Sequence, residues 1–181
     1  AAALPAEFLK RSWELGLACA AIPEQYNGAA MERSAVTGAL ILEELGAGDL
    51  AMALAMLAPA GVAYPVLDFG TEAQKERWLR PLLSGGIRSA FCMSEPGVAS
   101  SDPTNLAATI DFEGDELVLD GRKWWATGLG HPRCELGLFV GVSNPEADRH
   151  HRHSLALVPL ATPGVRILRM LPCFGEYDPP A

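Results

Sequence analysis

The hydrophobic period of this chain changes once, near Gly85-Gly86, and that change restricts the fold more than any other feature. Before it, apolar residues recur at helical spacing; after it, they fall in short runs bounded by turn residues. Pro5 can open a helix carrying Phe8, Leu9, Trp13 and Leu17, which ends before the turn-forming Ile22-Pro23-Glu24-Gln25-Tyr26-Asn27-Gly28. A second helix is predicted from about Met31 to Leu45, with Val36, Leu40 and Ile41 inward and Gly46 just past its end. Leu50 to Leu67 carries no charge, but Pro59, Gly61 and Pro65 among its alanines predict a buried, broken helical pair, stopped at Gly70, rather than a membrane span. Thr71-Glu72-Ala73-Gln74 has the form of a capping box and opens a helix with Trp78, Leu82 and Leu83 toward the core, ended by Ser84-Gly85-Gly86.

The second part reads as strands. Ser89 to Ser94 is one, and Ala107 to Phe112 with Glu116 to Leu119 flank Glu113-Gly114-Asp115 as a hairpin. Asp120-Gly121 signals a tight turn into Arg122 to Ala126, and Leu136 to Val142, Leu155 to Pro159 and Val165 to Leu171 follow. Helices followed by strands imply an α+β chain: a helical domain over 1–86, then a mostly antiparallel, barrel-like β-domain over 87–181.

Lys and Arg number 14 against 22 Asp and Glu, a net charge of −8, which argues against a nucleic-acid or anionic-membrane partner. A local basic pocket is still compatible with that average; Arg122, Lys123 and Arg133 are candidates, although solvated surface charges describe them better. Cys19, Cys92, Cys134 and Cys173 are scattered with no CxxC pair, so neither a zinc site nor a disulfide framework is expected, and a reducing compartment, cytoplasm or organelle matrix, fits. Glu7, Lys10, Arg11 and Glu14 leave no secretory signal visible in residues 1–20.

Two segments carry the chemistry: Phe91-Cys92-Met93-Ser94-Glu95-Pro96-Gly97-Val98-Ala99-Ser100-Ser101-Asp102, and Asp120-Gly121-Arg122-Lys123-Trp124-Trp125-Ala126-Thr127-Gly128. A flavin needs donors for its polar pyrimidine edge, a flat apolar cover for its ring and hydroxyls or N–H groups for its diphosphate. Met93-Ser94, Trp125 and Ser100-Ser101 could supply these in turn. Taken singly, the same residues also suit a Gly/Pro/Ser turn between strands, with Trp124 and Trp125 alternating outward and inward.

Jointly, the two segments resemble the flavin-binding signature of the acyl-CoA dehydrogenase family, and the Ile22-Pro23-Glu24 and Glu43-Glu44-Leu45-Gly46 phrases extend the likeness over nearly the whole chain. The resemblance implies FAD as cofactor and an acyl-CoA thioester as substrate, with α,β-dehydrogenation. It implies that Phe91 lies beside the flavin, that Met93 gives a backbone amide, that Ser94 bonds the pyrimidine, that Trp125 covers one face and that Thr127 bonds near the reactive nitrogen. Ser100 or Ser101 meets the diphosphate, and Ser101 the acyl-CoA; one residue extra after Glu95-Pro96 leaves their division open, and Gly128 stands where the family usually has Asn. An electron-transfer flavoprotein and a homo-oligomer are the implied partners.

The resemblance also implies a C-terminal helical bundle that supplies the catalytic base. The chain is therefore expected to be a fragment, truncated before that bundle, with no catalytic residue of its own and no activity alone. An acyl-CoA oxidase or flavin oxygenase on the same fold, or a non-catalytic binding or assembly module, are the alternatives. Glu95 is a candidate base, but its place between a strand and Pro96 suits fixing a turn better. Arg149-His150-His151-Arg152-His153 reads as a polar surface loop rather than a metal site, and Ser100, Asp102 and His131 have no nucleophile-elbow context for a triad.

Overall fold

A computed structural model describes residues 6–17, 20–173 and 176–177 of the chain. It divides into two compact units, one holding Ala1–Ser89 with His131–Arg133, the other Ala90–Gly130 with Cys134–Asp178. The helical unit contains α1 (Ala6–Glu14), α2 (Ala35–Gly48), α3 (Leu50–Leu57), α4 (Ala60–Phe69) and α5 (Glu72–Leu83). The sheet unit is built on β1 (Arg88–Cys92), β2 (Thr109–Glu113), β3 (Glu116–Asp120), β4 (Cys134–Val142) and β5 (His153–Pro159), with a small pair β6 (Pro172–Cys173) and β7 (Glu176–Tyr177). Pro5 and Cys19 lie outside the described residues, as do the side chains of Leu9 and Trp13.

The local signals in the helical unit act as their chemistry requires. Thr71 and Gln74 close a reciprocal capping box at α5, whose Trp78, Leu82 and Leu83 are buried. The apolar stretch breaks between α3 and α4 at Ala58-Pro59, and Ala53, Ala55, Met56, Val62, Ala63 and Val66 are buried. By length and composition Leu50–Phe69 could cross a membrane, and 39% of an apolar 18-residue stretch within it is buried inside the fold. The α2 reading needs correction. The helix starts at Ala35, runs through Gly46 to Gly48 and buries none of its residues; Val36 is 71% and Leu40 57% exposed. Its end is set by Asp49, whose carboxylate caps Met52 at the start of α3, so the next helix's cap rather than a glycine terminates α2.

The turn between α1 and α2 is fixed by a close approach. Tyr26 is buried and its hydroxyl donates to Glu72 at 2.8 Å, tying the turn to the start of α5. Asn27 takes a left-handed conformation, and at Gly28 the backbone runs so near Ile22 that a Cβ would lie 1.9 Å from the Ile22 carbonyl oxygen.

In the sheet unit β4 is the central strand. The order is β1-β4-β2-β3, with β5 also paired to β4. The ladders β2/β3 and β4/β5 are antiparallel, joined by one parallel pair, Thr109 with Val142. Leu136, Leu138, Val140, Ile110, Ala108 and Ala156 form the buried face. The strand reading needs two corrections: 122–126 and 165–171 form no strand. In the first, Trp125 has φ +52°, which is incompatible with an extended run. In the second, residues 165–169 are all exposed and lack the alternation of a half-buried strand.

The Gly28 approach gives a test. Gly28→Ala forces the turn off Ile22 and should lower stability by about 1–3 kcal/mol. Gly61→Ala, with open space around its Cβ inside α4, should raise it by up to about 1 kcal/mol. Urea unfolding of the two variants checks the opposite signs.

Candidate functional site

The two sequence segments meet around one buried ion pair. Lys123 Nζ lies 2.6 Å from Glu95 Oε1, and the two side chains are 7% and 6% exposed. Two charges so far from water persist only if their remaining hydrogen-bonding capacity is met. Glu95 Oε2 accepts the Ala107 N–H at 2.9 Å and Oε1 accepts the Ala108 N–H at 3.0 Å. Lys123 also donates to the Met93 carbonyl at 3.0 Å, and its ammonium lies 4.8 Å from the centre of the Phe139 ring. Burial would raise the Glu95 pKa, but the bond from Lys123 and the two backbone N–H donors outweigh it and hold the carboxyl below its ordinary value.

The turn after Glu95 is closed by Ser100. Its hydroxyl accepts the Glu95 N–H at 2.8 Å and donates to the Glu95 carbonyl at 3.1 Å. Ser101 is exposed on the same turn. Asp102 caps the short 3-10 turn Pro103–Asn105 through Thr104 and pairs with Arg149 at 3.1 Å; the Thr104 hydroxyl and N–H, then the Arg149 charge, keep its pKa low.

Lys123 is followed by the two tryptophans. The Trp124 N–H donates to the Ser94 carbonyl at 3.0 Å, locking one segment to the other. The expected alternation is absent: Trp124 and Trp125 are 37% and 51% exposed, with ring centres 5.9 Å apart and planes tilted by 51°. Trp125 is the unusual one, because a bulky residue in the left-handed region costs roughly 1–2 kcal/mol and persists where the surroundings hold it. Gly128, at φ +84°, sits where the backbone again needs that region, which glycine and asparagine take most readily.

The other expected site residues are placed as follows. Phe91 is the single exposed position of β1, at 41%. Met93 and Ser94 are half-buried and Thr127 is exposed. The carbonyls of Met93 and Ser94 are bonded to Lys123 and to Trp124, whereas no acceptor among the described residues meets the Ser94 N–H. The edge therefore presents donors and hydroxyls beside exposed aromatic rings. A planar, acceptor-edged ring system such as a flavin suits that set.

Other candidates resolve differently. Lys123 is buried, not a solvated charge, and its role was invisible in the sequence because nothing local tells a lysine that it will be enclosed. Arg133 donates to the Gly85 carbonyl at 2.6 Å and belongs with His131 to the helical unit. No triad forms: the Ser100 and Asp102 side chains are committed to their own turns, and His131 Nδ1 accepts the Arg133 N–H. Among the described residues no group of three or more His, Cys, Asp or Glu could hold a metal ion. Cys92 and Cys134 are buried thiols, and burial pushes the Cys92 thiol up to about 11, where it is unreactive. In the helical unit a shallow groove of about 340 Å³ is lined by Leu17, Leu40, Ile41, Glu44 and Leu45, and brings no chemistry together.

The fold and these two segments define a flavoprotein-type dehydrogenase scaffold, and comparison with known proteins identifies which. Residues 1–86 match the acyl-CoA dehydrogenase N-terminal domain and residues 90–179 the middle domain, so the chain belongs to the acyl-CoA dehydrogenase family. It is 53% identical over 110 residues to the probable acyl-CoA dehydrogenase FadE2 of Mycobacterium tuberculosis, covering 61% of this chain and 27% of that protein. A solved Mycobacterium abscessus protein assigned to the same family superposes with a TM-score of 0.83 at 44% identity, over 98% of this chain and 44% of that one. A glutaryl-CoA dehydrogenase from Mycobacterium smegmatis, solved in complex with FADH2, gives 0.74 at 25% identity, over 89% and 39%. The chain thus spans less than half the length of each.

Glu95 sets a pH dependence. Its folded pKa lies below the ordinary 4.5, so its contribution to stability is complete above pH 4.5 and is lost as pH falls through the depressed folded value. Urea midpoints measured between about pH 3 and pH 6 should fall steeply at the acid end in the parent and less steeply in Glu95→Gln.

Proposed function

We propose that this chain is the flavin-holding part of an FAD-dependent acyl-CoA dehydrogenase that introduces an α,β double bond into an acyl-CoA thioester. The observation that carries the reading is Trp125, a half-exposed indole held in a left-handed backbone beside donors tied in place by Lys123 and Glu95. Strain of that kind survives where a specific surface is worth its cost. The bound flavin would supply the hydride acceptor.

The chain's own groups bind and orient. Ser94, through its N–H and hydroxyl, faces the cofactor's polar edge, Trp125 covers a ring face, and Phe91 and Thr127 border it. Ser101, exposed where Ser100 is committed, takes the ligand contact. None of these removes a proton. Glu95 is ill suited to do so, because its buried carboxylate is paired with Lys123 and held below its ordinary pKa by that bond and the Ala107 and Ala108 N–H groups. The base is assigned to a part of the protein outside residues 1–181. Acyl-CoA as substrate, electron-transfer flavoprotein as acceptor, a homo-oligomer, no membrane span, and a cytoplasmic or organelle-matrix location complete the proposal.

Two measurements test it. Residues 1–181 given FAD and a panel of acyl-CoA thioesters without oxygen should show no flavin bleaching, whereas the full-length protein should bleach; general base catalysis contributes on the order of 10²–10⁴ in rate. Bleaching by the chain alone at the full-length rate would place the base inside it. Trp125→Gly should weaken FAD retention several-fold, from about 1 kcal/mol of aromatic contact. It should leave the unfolding midpoint of the apoprotein unchanged or higher, because relief of about 1–2 kcal/mol offsets the roughly 0.5–1 kcal/mol entropic cost of glycine. Unchanged FAD retention together with lower stability would show that Trp125 is structural.

A further inference from the structure

We infer that Lys123 and Glu95 are positioning residues that set the electron affinity of the cofactor through the Met93–Ser94 peptide group. This rests on the flavin reading of the site above. The geometry behind it is a single line of contacts. The Lys123 ammonium, on a side chain that is 7% exposed, bonds to Glu95 on one side and to the Met93 carbonyl on the other. That carbonyl belongs to the same peptide group as the Ser94 N–H. A cation bonded to the oxygen of an amide draws electron density from its nitrogen, so the N–H at the far end becomes a stronger donor.

The Ser94 N–H meets no acceptor in the contacts of the described residues, which leaves this strengthened donor available to a ligand. The carbonyl of its peptide group is held by Lys123, and the next peptide group is held at both of its ends, the Ser94 carbonyl by the Trp124 N–H and the Glu95 N–H by Ser100. These bonds oppose a turn of the peptide group that would relieve the polarisation. A flavin acquires negative charge on its pyrimidine portion when reduced, and a donor of this strength favours the reduced form over the oxidised one. Glu95 acts in the opposite sense, because its negative charge, 2.6 Å from the ammonium, partly cancels the field at the peptide.

A purely structural staple and a tuning pair predict different things. If Lys123 and Glu95 only hold the fold, removing either should loosen the site and move the cofactor's potential the same way. If they tune it, the two replacements move it in opposite directions.

The experiment uses the full-length holoenzyme, with FAD affinity and two-electron midpoint potential measured for the parent, Lys123→Met, Lys123→Arg and Glu95→Gln. Lys123→Met should weaken binding of reduced FAD about tenfold more than that of oxidised FAD, a fall of about 30 mV in midpoint. Lys123→Arg, keeping the charge and the donors, should recover most of it. Glu95→Gln, which leaves the ammonium uncompensated, should raise the potential. Shifts of the same sign in Lys123→Met and Glu95→Gln, or no shift in either, overturn the inference. Should Lys123→Met not fold, Glu95→Gln decides alone, an upward shift supporting and an unchanged or lower value overturning it. A parent that binds no FAD would instead refute the flavin reading itself.

Discussion

The contact between Lys123 and Glu95 organises the sheet unit because its charges are enclosed. A buried carboxylate and ammonium cannot be left half-satisfied, and here four backbone groups or rings from three separate segments complete them: the Met93 carbonyl, the Ala107 and Ala108 N–H groups and the Phe139 face. Phe139 lies in the regular strand β4, but the other segments that meet at the pair, including that of Lys123 itself, are irregular there. The loop after β1, the entry to β2 and the run beyond β3 have no ladder to hold them, so the ion pair does what regular secondary structure does elsewhere. Conformations that would be too costly alone, such as Trp125 at φ +52°, become tenable two residues from such an anchor.

The same economy explains the paired serines. Both carry a hydroxyl, and the sequence offers no reason to assign them different work. Ser100 Oγ closes the turn by bonding the N–H and carbonyl of Glu95, the residue whose side chain is in the ion pair, so its hydroxyl belongs to the scaffold. Ser101 is left exposed.

The helical unit obeys a different constraint. Its α5 and α4 bury their apolar faces in the ordinary way, whereas α2 leaves Val36, Leu40 and Leu42 exposed and α3 leaves Leu50 and Leu54. The inward assignment of Val36 and Leu40 assumed that an apolar stripe finds its partner among the residues read alongside it. That assumption fails for α2, which buries none of its residues.

What the sequence determined by itself was local. The capping box at Thr71, the break at Pro59, the hairpin around Gly114 and the change from helices to strands follow from propensities and turn chemistry acting over a few residues, and the family was legible in the two segments because their residue types are specific in combination. What only the tertiary structure decided were matters of enclosure. A lysine in a polar stretch becomes a buried organising charge only when Phe139 and the Met93 loop close over it. Neighbouring tryptophans can share one exposed surface only when a left-handed residue breaks the alternation. His131 and Arg133 join the helical unit although strands flank them in sequence. Burial and backbone handedness at such points depend on what other parts of the chain approach, and no short-range pattern records that.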